Sequence, residues 1–120
     1  MTKIEALVDE IHELSKAPVE CDGFASLVAT LLNRKGQDFK AFSGVVRSRS
    51  GKSFSPHIWI EWNGKIIDFK AKMWLDELAP HGIMDKDLVQ DLYDGSQFTI
   101  RTLSPTMEAI LKLPFDIPSK

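Results

Sequence analysis

A chain of 120 residues, 43% hydrophobic and 27% charged, has the size and composition of one globular domain spanning residues 1–120. A formal net charge of −2 excludes a global basic field for nucleic acid, and the short basic stretch Arg47–Lys52 does not restore one. A single cysteine excludes an intramolecular disulfide and a cysteine-rich zinc site, and no apolar run nears the roughly 18 residues of a membrane span.

The first sixteen residues are charged and amphipathic, without the apolar centre of a secretory signal, so a cytoplasmic protein is expected. Residues 3–16 place Ile4, Leu7, Val8, Ile11 and Leu14 at helical spacing, and Pro18 ends that helix. A second helix is expected over 21–34. Its apolar face is Phe24, Leu27, Val28, Leu31 and Leu32, and Gly36 follows Arg34 and Lys35 as a stop. Cys21 shares a stripe with Ala25, Val28 and Leu32, so the thiol should point inward from the helix start.

Residues 39–47 suggest a strand, and 48–56 a small polar loop, either a solvated linker or a mobile lip before His57. HIWIEW (57–62) and KIIDF (65–69) flank Asn63-Gly64, the favoured pair of a two-residue type I′ hairpin. Residues 70–85 suit a short helix or packed loop, and 86–93 a short helix ended by Asp94-Gly95. QFTIRTL (97–103) reads as a strand. Ser104 caps a helix from Pro105 to about Leu113, and the remainder is a tail. The sum is α+β, with N-terminal helices packed on an antiparallel sheet.

The hairpin register carries the functional reading. A two-residue turn pairs Trp62 with Lys65 and Ile60 with Ile67, and side chains alternate faces. His57, Trp59, Glu61, Ile66, Asp68 and Lys70 then share one face, with His57 and Asp68 as diagonal neighbours. A slip of one residue would separate them. A thiol at a helix start, an imidazole and a carboxylate form a nucleophile, a base and an orienter. A helix N-terminus and a neighbouring imidazolium both favour the thiolate. Acyl transfer is the chemistry such a set supports, with the Cys21 amide as the first oxyanion donor.

Each residue alone has a plainer reading. Cys21 could be a buried structural thiol, His57 a strand-end histidine and Asp68 a surface carboxylate near a turn. Trp59 suits packing, or a wall of the site. His81 reads as a loop histidine. A metal on Cys21, His57 and Asp68 fits no compact ligand spacing, so no metal and no cofactor are expected.

ECDGFASLVATLLNRKG, FSGVV and HIWIEWNGKIIDFKAKMW together resemble the transglutaminase-like branch of the papain-like cysteine hydrolase superfamily. The likeness covers roughly residues 18–75 and falls on Cys21, Gly44, His57, Trp59, Glu61 and Asp68. CDGF also resembles the cell-wall endopeptidases of that superfamily, but those usually have a longer Cys-to-His interval and commonly a second histidine where Asp68 stands. Val19-Glu20 replaces the small residue or glycine that usually precedes the cysteine.

The resemblance implies a small papain-like core with a catalytic triad of Cys21, His57 and Asp68, and substrate contacts at Trp59 and Asp22. It implies a thiol-dependent hydrolase, of the cysteine protease, amidase or deamidase type, acting on an amide or isopeptide bond of a protein or peptide. The alternatives are an amine-accepting acyltransferase and a non-catalytic binding domain of the same fold. No nucleic-acid or membrane partner is expected.

Overall fold

The computed structural model describes residues 2–112. Its first helix, α1 (Lys3–Leu14), begins with a reciprocal cap: the Thr2 hydroxyl accepts from the Glu5 amide at 3.1 Å, and the Thr2 amide donates to the Glu5 carboxylate at 2.9 Å. Leu7, Ile11 and Leu14 are its buried stripe, while Ile4 stays exposed. The second helix, α2 (Cys21–Arg34), is buried along most of its girth: Phe24, Ala25, Leu27, Val28, Ala29, Leu31 and Leu32 all lie inside. Gly36, at φ +69°, closes it, and the Gln37 amide returns to the Leu32 carbonyl at 2.9 Å.

Five strands form one antiparallel sheet: β1 (Lys40–Arg47), β2 (Ser53–Trp62), β3 (Lys65–Asp68), β4 (Gly82–Asp85) and β5 (Tyr93–Phe98), in the spatial order β4-β3-β2-β1-β5. The short helix α3 (Lys86–Val89) and α4 (Pro105–Lys112) complete the described elements, with 3₁₀ turns at Ala71–Met73 and Gln90–Leu92. The main core lies between α1, α2 and the sheet face bearing Ala41, Ile60, Trp62 and Ile67. The α+β class is therefore the observed one: among the described residues, four α-helices with a five-stranded antiparallel sheet.

The Asn63-Gly64 turn forms as the sequence predicts. Both residues have positive φ, +53° and +72°, and Trp62 pairs with Lys65, Glu61 with Ile66 and Ile60 with Ile67. Three strands differ from expectation. Strand β2 starts at Ser53 rather than at His57, because Phe54 and Ser53 pair with Val46 and Arg47. Pro56 sits in that extension where the β1 register shifts between Gly44 and Val46, an irregularity that tolerates a residue with no amide hydrogen.

Strand β4 was not expected. It is four residues long, too short to show alternation, and it forms because the β3 edge offers Lys65 to Asp68 as partners for Asp85 to Gly82. Strand β5 runs from Tyr93 to Phe98 rather than over the expected 97–103, and it passes through Asp94-Gly95 where the stop of a short helix was expected. Gly95 lies opposite Gly44, and the two strands approach too closely there for any side chain. A Cβ built on Gly44 would lie 2.2 Å from the Asp94 carbonyl oxygen, and one on Gly95 would lie 2.7 Å from the Trp59 ring. The last helix matches expectation over its described part, with the Ser104 hydroxyl accepting from the Met107 amide at 3.2 Å. The expected tail from Pro114 lies outside the described residues.

Candidate active site

The hairpin brings His57 and Asp68 together. His57 Nε2 lies 2.8 Å from Asp68 Oδ2, with the two side chains 0% and 1% exposed, so water neither screens nor replaces this contact. Asp68 is held at both oxygens. Oδ1 accepts from the Lys70 amide at 3.0 Å, and Oδ2 accepts from the Tyr93 hydroxyl at 2.8 Å as well as facing His57. A buried carboxylate is tolerable only when its lone pairs are used in this way.

Burial acts most strongly on His57 and lowers its pKa. The Asp68 hydrogen bond, the neighbouring Cys21 sulfur and the charges of both overcome it, and the imidazole is pushed up to about 9. That direction favours the imidazolium at neutral pH. Asp68 occupies Nε2, which leaves Nδ1 as the ring nitrogen for the thiol. Nδ1 is buried and makes no hydrogen bond of strict geometry. Cys21 thus influences the ring as a neighbour without forming an aligned bond to it, a loose contact common in unliganded sites.

Cys21 opens α2 and is only half-buried, while Ala25, Val28 and Leu32 below it are fully buried. The inward stripe exists, and the sulfur sits at its solvent-facing end. Glu20 is the N-cap residue but makes no side-chain cap bond, and the Asp22 carboxylate accepts from the adjacent Gly23 amide at 2.8 Å. The segment leading to Cys21 is tied to the sheet by Lys70. Its ammonium is buried and donates to the Ser15 and Ala17 carbonyls at 3.3 and 3.2 Å, and burial lowers its pKa.

Trp59 is 2% exposed and forms the floor of this arrangement. Its ring packs parallel to Phe42 (centroids 6.0 Å), near-parallel to His57 (6.3 Å) and against Tyr93 at 4.7 Å. Its indole N–H is buried and unpaired. Asp22, the other residue expected to contact substrate, is exposed beside the thiol. Glu61, on the same strand, pairs with Lys86 at 3.0 Å. His81 lies edge-on to Phe69 at 5.2 Å.

The loop between β1 and β2 is anchored at several points. Asp76 accepts from the Ser48 and Ser50 hydroxyls at 2.5 and 2.6 Å, the Arg49 amide donates to the Leu78 carbonyl at 3.2 Å, and the Arg49 guanidinium pairs with Asp91 at 2.6 Å. Beside it, Phe54 stacks on Trp74 (5.0 Å, 3°) and meets His57 edge-on at 6.3 Å. Met73, Trp74 and Leu78 are exposed apolar side chains, and Trp74 is the one in that stack.

Tyr93 is the residue that sequence reasoning missed. It stands at the end of a short helical stretch, and its only signal is that it is the chain's sole tyrosine. Among the described residues, no group of three His, Cys, Asp or Glu side chains is placed to hold a metal ion, and no helix is long and apolar enough to cross a membrane. No protein-family model, curated protein or solved structure matches this chain.

Proposed function

We propose that the protein is a thiol-dependent hydrolase of amide or isopeptide bonds, on a small papain-like core of the transglutaminase-like kind. The observation that carries this reading is the buried His57–Asp68 contact at 2.8 Å, with the second imidazole nitrogen left to a half-exposed thiol at a helix start. The Lys70 amide and the Tyr93 hydroxyl hold that carboxylate in place, so it can keep the imidazole in one orientation.

The chemistry follows from an imidazolium beside the sulfur. The Cys21 thiolate attacks the carbonyl carbon, and the carbonyl electron pair moves to oxygen. As the tetrahedral species collapses, the C–N bond breaks and the amine leaves with the proton from His57. The neutral imidazole then takes a proton from water, whose oxygen attacks the thioester. Collapse releases the carboxylic acid and restores the thiolate–imidazolium pair. Asp68 stabilises the charged ring without taking its proton. The exposed Trp74, stacked on Phe54 beside His57, favours a polypeptide acyl donor with apolar side chains.

The test is the alkylation rate of Cys21 by iodoacetamide between pH 5 and 9. Wild type should react at pH 6 at least about tenfold faster than His57→Ala. Equal rates in the two folded proteins would remove the basis of the proposal.

A further inference from the structure

We infer that Tyr93 is a positioning residue of this site: its hydroxyl fixes the Asp68 carboxylate and shares the oxygen that serves His57. The inference rests on the hydrolase reading for its purpose, but its geometry stands on its own. Strand β5 joins the sheet beside β1, with Tyr93 paired to Val46, and this carries the phenol across to a carboxylate on β3. Tyr93 and His57 both lie 2.8 Å from the same atom, Oδ2, while the Lys70 amide takes Oδ1 at 3.0 Å. Three contacts on two oxygens leave the carboxylate no free rotation.

Packing alone does not account for the hydroxyl. The Tyr93 ring rests on Trp59 at 4.7 Å, and a phenylalanine would fill the same space. The oxygen's hydrogen-bond partner is Asp68. Burial and the Asp68 charge push the ionisation of the phenol well above its ordinary value, so it remains a donor wherever the enzyme works.

The consequence for His57 has a definite sign. A second donor on Oδ2 spreads the carboxylate charge and weakens its pull on the imidazolium. Tyr93 therefore moderates His57. Of the other charged groups, Cys21 from α2 acts on the ring, Lys70 meets Asp68 through its amide while its ammonium goes to the Ser15 and Ala17 carbonyls, and His81 lies within the field of Asp68.

The experiment is the NMR titration of the His57 ring in wild type and Tyr93→Phe, with the signal assigned through His57→Gln. The expected result is an upward displacement of about half a pH unit in the folded variant. An unmoved or lowered titration would overturn the assignment, because a purely structural hydroxyl would change the melting temperature and leave the ring alone. A second measurement does not depend on that variant. Tyr93 is the only tyrosine, so alkaline absorbance reports it directly, and Asp68→Asn should let it ionise at lower pH than in wild type. No difference there would also reject the contact. Failure of the hydrolase reading shows separately, as Cys21 alkylation indifferent to His57.

Discussion

Replacing Asp68 with Asn tests whether the buried pair is a charged one. Against the lowering effect of burial, Asp68 and Cys21 push the His57 imidazole from 6.5 up to about 9. At about 1.4 kcal/mol per pH unit, that rise stabilises the fold by about 3 kcal/mol. Because the folded pKa is the higher one, this contribution is fully present below pH 6.5 and is lost as pH rises through 9. In Asp68→Asn, burial, the largest influence on the ring, acts against only the weaker pull of Cys21, and the contribution disappears. The stability difference between wild type and variant should therefore shrink by about 3 kcal/mol from pH 6.5 to 9.5. Urea unfolding at half-unit pH steps measures it, and groups unaffected by the substitution cancel in the difference. A difference that stays flat, or grows with pH, would mean that the pair is neutral and that the imidazolium argument is wrong.

Two further substitutions test the frame around the site. Gly44→Ala puts a methyl group 2.2 Å from the Asp94 carbonyl and must push β5 from β1, at a cost of about 3 kcal/mol in urea unfolding; a cost below about 0.5 kcal/mol would show that the close approach is not real. Asp76→Ala releases the Ser48 and Ser50 hydroxyls and the Leu78 amide, so the Ser48, Gly51 and Leu78 amides should exchange hydrogen several-fold faster. Unchanged exchange would mean that the loop is held by its backbone and Arg49 alone.

The expected strand at 97–103 shows how a local signal misleads. Asp94-Gly95 has the chemistry of a turn, yet the two residues lie within β5 because Gly44 faces them. Glycine marks either a turn or a close approach, and only the partner strand decides which. The polar stretch Ser53–Pro56 misleads in the opposite direction, since Ser53 and Phe54 pair with β1 although its composition suggests a loop.

What the chain's own letters determined is local. Two consecutive residues suited to positive φ at Asn63-Gly64 set a two-residue turn, and the alternation of side chains then aligned His57 with Asp68 without any knowledge of the rest of the fold. The helix start at Cys21 was legible for the same reason, since Pro18 and the apolar spacing lie within one or two turns of it. Tertiary structure alone decided the burial of the pair, the arrival of Tyr93 from a strand 25 residues past Asp68, and the tether from Lys70 to the Ser15 and Ala17 carbonyls. Those contacts join groups far apart in the chain. Their strength depends on the exclusion of water from the site, which no short window of sequence encodes.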